Sequence, residues 1–222
     1  MPFSPFYFAL LLVALGLLAV FVQVGALTLA FDKLGLSPNS ATLLLFTSLL
    51  GSLINLPLFS VKTEGSPESP PPMPQSFRSL LRLPPLKFTG KTVVAINVGG
   101  CLVPLAFSVY LLRHNPLNPL MVISAVALVS MVCRLASRPV PGVGIGIPIF
   151  VAPLIAAMVS LVIDPEYSAP LAYISGTLGV LIGADISRIN DIRKMGTPFA
   201  SIGGAGTFDG IFLSGIVAVL LT

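Results

Sequence analysis

Seven apolar runs divide the chain, at about 6–30, 41–61, 92–112, 117–133, 143–163, 169–187 and 199–221. Each can cross a hydrocarbon layer of about 30 Å, which takes about 17 to 25 helical residues, with the fourth and sixth near the short end. A backbone that enters lipid has to satisfy its own N–H and C=O groups, so runs of this length restrict a chain to helices packed on one another within the membrane. The expected fold class is an all-α polytopic transmembrane helix bundle of about seven spans, a single transmembrane domain over residues 1–222. Charge bears this out, since only 9% of residues are charged against about 25% in soluble domains. The first run does not read as a cleavable signal peptide, because Met1 to Phe6 holds no Lys or Arg and the run is too long.

Basic residues set the expected orientation. Lys62, Arg78, Arg82, Lys87, Lys91, Arg134, Arg138, Arg188, Arg193 and Lys194 fall on one side of the alternating spans, and only Lys33 and Arg113 on the other. Ten against two places the N-terminus and the basic connections in the cytoplasm. The net charge of +4 is thus a topology signal, scattered between apolar runs with no stripe that could hold nucleic acid. The one sizeable hydrophilic segment, the loop at 62–91, begins as a Pro-rich linker. It ends in "SFRSLLRLPPLKF", whose alternating Leu, Phe and Arg suit a short helix lying on an anionic membrane surface. Cys101 and Cys133 lie inside apolar runs and read as buried small hydrophobes.

Two acids stand against this background. A charge at membrane depth costs at least ~2.5 to 3.5 kcal/mol, so Asp185 and Asp209, each within or at the edge of a span, need a reason to be there. Run six and run seven meet at the cytoplasmic side, which makes the two acids expected neighbours and candidate catalytic residues. As a plain helix cap, Asp209 would leave a helix of only about 20 Å, too short to cross. "PFASIGGAGTF" must then also sit at membrane depth and depart from regular helix at Gly203, Gly204 and Gly206. The structural alternative for Asp185 is an ion pair with Arg188 one turn on, although an acid in a last helical turn opposes the helix dipole.

Around the acids lie Gly-rich entries to runs three, five and seven, all on the cytoplasmic side, which point to a cavity. Asn55, Asn97 and Ser201 are candidate polar lining, and Asn97, Ser201, Gly204, Gly206 and Thr207 are the expected substrate- or ion-binding positions. Gly176, Gly179 and Gly183 form a small-residue face for close helix packing, with Asp185 about 200° round from Gly183. A weak internal echo pairs Thr47–Leu58 with Ser175–Ile186, and "NVGG" at 97–100 with "SIGG" at 201–204, as in a parallel repeat. His114 stands alone and gives no metal-ligand spacing. No phosphate loop, Ser/His/Asp set or Cys/His cluster is visible, and neither a cofactor nor a metal is expected.

"SLLGSLINLPL", "INVGGCLVPL", "RPVPGVGIGIP", "SGTLGVLIGADI" and "SIGGAGTFDGIFL" together resemble a family of bacterial and archaeal membrane proteins whose domain is one of unknown function. The resemblance implies a multi-span fold in the cytoplasmic membrane of a prokaryote. More loosely, two aspartates on consecutive helices, the second preceded by glycines, are similar to the presenilin and signal-peptide-peptidase class of intramembrane aspartic proteases. Here "GTFD" stands where that class has Gly-x-Gly-Asp, and no Tyr precedes Asp185. That likeness implies a dyad sharing one proton, one carboxyl acting on a water and the other on the peptide carbonyl of a transmembrane peptide. The alternative is a small transporter in which the same acids bind and release H⁺ or Na⁺ among Gly-broken helices. Beyond the lipid bilayer, the expected partner is a transmembrane peptide in the first case and a small cation in the second.

Overall fold

Short polar side chains set where helices begin. A computed structural model of the chain describes residues 23–62, 90–140, 144–194, 199–204 and 210–222. After a helix over 23–33 (α1), Ser37 accepts a hydrogen bond from the Ser40 amide and Pro38 takes the first turn of α2, Pro38–Gly51. Asn97 caps a π-helical turn, Val98–Leu102, which runs on into α3, Val103–His114. Asn118 caps α4, Pro119–Ala136, and is again followed by a proline in the first turn. Then come α5, Val151–Ile163, and α6, Ser168–Val180. A second π-helical turn, Leu181–Asp185, leads from α6 into a 3₁₀ segment, Ile186–Lys194, and α7, Gly210–Leu221, is the last helix.

A three-stranded sheet interrupts what hydropathy alone reads as spans. β1, Asn55–Lys62, pairs antiparallel with β2, Lys91–Asn97, and β2 pairs parallel with β5, Phe199–Ile202. β2, with Thr92, Val93, Val94 and Ile96, has the β-branched content of a central strand and is the best buried of the three. Pro57 is tolerated because β1 lies at the edge, where the register also shifts between Pro57 and Phe59. A small hairpin joins β3, Arg138–Val140, to β4, Gly144–Gly146.

The chain is mainly helical, but the all-α expectation is corrected: runs two, three, five and seven are each part strand and part helix. Among the described residues, two helices are long and apolar enough to cross a membrane, 119–136 and 168–193, the latter continuous through its π and 3₁₀ turns. Shorter apolar helices cover 98–114, 151–163 and 211–221.

α6 is the axis of the bundle. It packs against α3, α4, α5 and α7, and Leu171 through Thr177 are buried on every side. The expected glycine face is real and serves several neighbours. Gly179 and Gly183 lie against Val129, Ser130 and Cys133 of α4, while Gly176 meets Ala156 of α5 and Ala218 and Gly215 of α7. The ends of the elements sort into two layers. The sheet and the 3₁₀ segment lie at one end, and residues 32–35, Asn115, 166–170 and Thr222 gather at the other.

Candidate functional site

Where the strands give way to helices, three polar side chains meet. Asn97, wholly buried, donates from Nδ2 to the Ser52 carbonyl at 2.7 Å and to Asn55 Oδ1 at 3.2 Å, and its Oδ1 accepts from the Gly100 amide at 2.7 Å. Ser201 Oγ donates to the same Asn55 Oδ1 at 2.6 Å. β1, β2 and β5 each contribute one residue, so the cluster exists only because the sheet forms. The backbone closes around it: Ser48 of α2 donates to the Gly99 carbonyl at 2.9 Å, and a Cβ on Gly51 would lie 3.0 Å from the Gly99 amide nitrogen.

Asp185 reaches this region from the other side. It ends the second π-helical turn, and its Oδ2 accepts the Gly203 amide at 2.8 Å. Gly203 is two residues beyond Ser201 and, with Gly204, has positive φ (86° and 91°), the conformation that lets β5 turn away sharply. A Cβ on Gly203 would fall 2.7 Å from Cys101 Cβ, so the turn is also packed against the first π-helical turn. Single π turns recur at functional positions, and here one follows Asn97 while the other carries Asp185.

The ion pair between Asp185 and Arg188, the structural alternative for this acid, is not made. Arg188 bonds Asp191 at 3.2 Å and the end of α4, leaving Asp185 directed at β5. This also accounts for the 200° offset, since Gly183 faces α4 while Asp185 faces away from it. Of the expected site residues, Asn97 and Ser201 share one network and Asp185 lies beside them through Gly203. Gly204 continues the turn, while Gly206, Thr207 and Asp209 lie outside the described residues. The Gly203 amide, the Ser52 carbonyl and the Ser48 hydroxyl complete the arrangement. Main-chain partners leave no mark in residue type, whereas Ser48 and Ser52, one turn apart at the end of α2, are a legible polar edge.

A second feature, at the opposite end, escaped sequence reading. A cleft of 440 Å³ is lined by Asp32, Lys33, Asn115, Glu166, Tyr167, Ser168 and Thr222 among others. Lys33 Nζ donates to the Val219 carbonyl at 3.4 Å, and the neighbouring Glu166 carboxylate raises the Tyr167 phenol above its usual range.

Fold and site together define a mainly helical, strongly apolar protein in which a π-helical turn and a three-stranded sheet bring a carboxylate near an amide–hydroxyl network centred on the buried Asn97. The chain belongs to the family described as a protein of unknown function (DUF1614), matched over residues 49–221. No curated protein and no solved structure matches it.

Proposed function

We propose that the chain is a multi-pass protein of about seven spans in the cytoplasmic membrane of a prokaryote, N-terminus inside, that moves a small cation, H⁺ or Na⁺, through a site at Asp185. The membrane placement is supported by the outward faces of α2, α4 and α5. They present Leu43, Phe46, Leu50, Ile123, Met131, Met158 and Val162 as a broad apolar surface of a kind that lipid accepts and water does not. It is supported too by the two-layer sorting of element ends, which follows the up-and-down path that alternating spans require.

One observation carries the transport reading: the Asp185 carboxylate, at a π-helical turn within its helix, binds the main chain of a broken run at Gly203, two residues beyond Ser201 of the Asn55–Asn97–Ser201 network. Discontinuous helices meeting at oxygen-rich backbone are how small-ion carriers build a site within the membrane. In reconstituted liposomes, wild type is expected to dissipate an imposed H⁺ or Na⁺ gradient. Asp185→Asn should slow this at least about tenfold, equivalent to ~1.4 kcal/mol on the barrier, because an amide neither takes up a proton nor neutralises a cation.

A second reading has its own support. The turn that Asp185 holds at Gly203 comes six residues before Asp209 in the chain, and an aspartic hydrolase would use the two acids as a pair on a peptide bond. A panel of transmembrane peptides offered to the same liposomes separates the two: cleavage lost in both Asp185→Asn and Asp209→Asn, without ion movement, replaces transport with hydrolysis. Neither activity in wild type removes both readings.

A further inference from the structure

The cleft at the end of the bundle away from the sheet is lined by the first turn of α6. Asp164 Oδ1 accepts the Tyr167 amide at 3.1 Å, but no side chain caps the helix start itself, and the next two amides, of Ser168 and Ala169, have no partner among the described residues. Orphan amides at a helix start attract an anion, through their hydrogens and through the positive end of the helix dipole. The Ser168 side chain is a second, separate sign of a ligand. It lines the cleft and the residue is only 8% exposed, yet its hydroxyl also has no partner among the described residues. A hydroxyl so nearly covered bears a desolvation cost that a group seated in the cleft would offset.

Charges around the cleft are mixed. Lys33 donates to the Val219 carbonyl at 3.4 Å and forms no ion pair among the described residues, so it keeps hydrogens for an anion at the α6 start. Asp32 and Glu166 line the same cleft, and Asn115, which gives Nδ2 to the Leu111 carbonyl at 3.0 Å, keeps Oδ1 as an acceptor. A bare phosphate would meet the two carboxylates as like charges, and a bare amine would leave the helix start and Lys33 without an anion. A ligand carrying both signs close together satisfies each half. Apolar surface also runs up to the rim: Leu34 and Pro170 line the cleft, and Val162 near the end of α5 is 82% exposed. Acyl chains attached to such a ligand would lie there.

We propose that this cleft holds the headgroup of a phosphatidylethanolamine lipid, with the phosphate at the α6 start, Ser168 and Lys33, and the ammonium among Glu166, Asp32 and Asn115 Oδ1. The inference rests on the membrane placement of the chain and is independent of what Asp185 does. A primary ammonium suits the site better than a quaternary one, because carboxylate and amide oxygens accept hydrogens that only the primary ammonium carries.

The test uses the full chain, purified in detergent and freed of lipid, titrated with short-chain phosphatidylethanolamine, phosphatidylcholine, phosphatidylglycerol and free O-phosphoethanolamine, with the unfolding midpoint as the readout. Phosphatidylethanolamine is expected to raise the midpoint at lower concentration than the other three. Lys33→Gln and Glu166→Gln should each weaken its apparent affinity about threefold or more, and Ser168→Ala about three- to tenfold. Without lipid, Ser168→Ala should keep or raise the midpoint, because no protein partner is lost. Equal stabilisation by phosphatidylglycerol or phosphatidylcholine overturns the inference, since neither offers a primary ammonium. O-phosphoethanolamine acting as strongly as the lipid overturns it too, by assigning the cleft to a soluble ligand. So does a lower lipid-free midpoint in Ser168→Ala with unchanged lipid affinity, which makes that hydroxyl structural. Recovery of the wild-type chain outside the membrane fraction of cells would defeat the membrane placement by itself. The headgroup inference fails separately, when a chain that fractionates with membranes does not discriminate among the headgroups.

Discussion

The guanidinium of Arg188 donates from Nε to Ser137 Oγ at 3.2 Å, from Nη2 to the carbonyls of Arg134 and Ser137 at 2.9 Å each, and from Nη1 to Asp191 at 3.2 Å. It thus caps the C-terminal end of α4 with positive charge while tying that end to the 3₁₀ segment. Arg188→Ala is expected to cost about 1–3 kcal/mol, read as a lower unfolding midpoint in detergent, and Arg188→Lys to recover little, since one ammonium cannot reproduce a planar fork. A lysine variant equal to wild type would show that charge alone matters there. Asn97 makes the complementary case. Asn97→Asp keeps the shape but turns the Nδ2 donor into an oxygen facing the Ser52 carbonyl and Asn55 Oδ1, so it should destabilise by at least about 1–3 kcal/mol. Sequence located Asp185, Asn97 and Ser201 because polar groups in apolar runs are costly and few. The structural alternative for Asp185, a pair with Arg188 one turn on, gives way because spacing of three or four residues also fits Asp191, which Arg188 takes, while Asp185 at the π-helical turn bonds Gly203.

At the scale of elements, the interrupted runs depend on glycines that allow backbone to touch backbone. A Cβ on Gly99 would run into the Ser48 carbonyl and the Ser52 amide of α2, neither of which can move aside without unwinding the helix end. At Gly203 the obstruction is joined by a φ of 86°, whereas at Gly204 a φ of 91° is the strain that the structure shows. The expected order is therefore graded. Gly204→Ala lowers stability by about 1–2 kcal/mol, Gly203→Ala by more, and Gly99→Ala prevents the junction from assembling, as measured by unfolding midpoints and yield of monodisperse protein. Equal effects at Gly203 and Gly204 would mean that conformation and not packing limits the turn. Departure from helix near Gly203 was legible, because a helix starting at Asp209 falls short of a bilayer. The strands at 55–62 and 91–97 were not. Hydropathy gives "LPLFSV" and "TVVAIN" the same weight as helical spans, and a pairing between β2 and β5 across about a hundred residues has no local signature.

The whole molecule has two unlike ends. One gathers the sheet, the β3–β4 hairpin and the 3₁₀ segment, with Lys62, Lys91, Arg134, Arg138, Arg188 and Arg193, while the other gathers Asp32, Lys33, Glu166 and Thr222 round the cleft. That sorting was legible, because short connections between successive apolar helices leave an up-and-down path as the simplest route. Orientation in the membrane then follows from charge: Lys and Arg near span ends are retained on the cytoplasmic side, so the end with the sheet should face inward. Single cysteines placed at Ser66, in the loop at 62–91, and at Glu166, beside the cleft, test this in intact cells with a membrane-impermeant thiol reagent. Native Cys101 and Cys133 are 5% and 0% exposed and should remain silent. Glu166→Cys is expected to react at once and Ser66→Cys only after the cells are opened. The reverse pattern would invert the protein and put the Asp185 site at the outer face. Reaction of both from outside would mean that an odd number of crossings does not separate these points, and that the interrupted runs dip into the membrane and return.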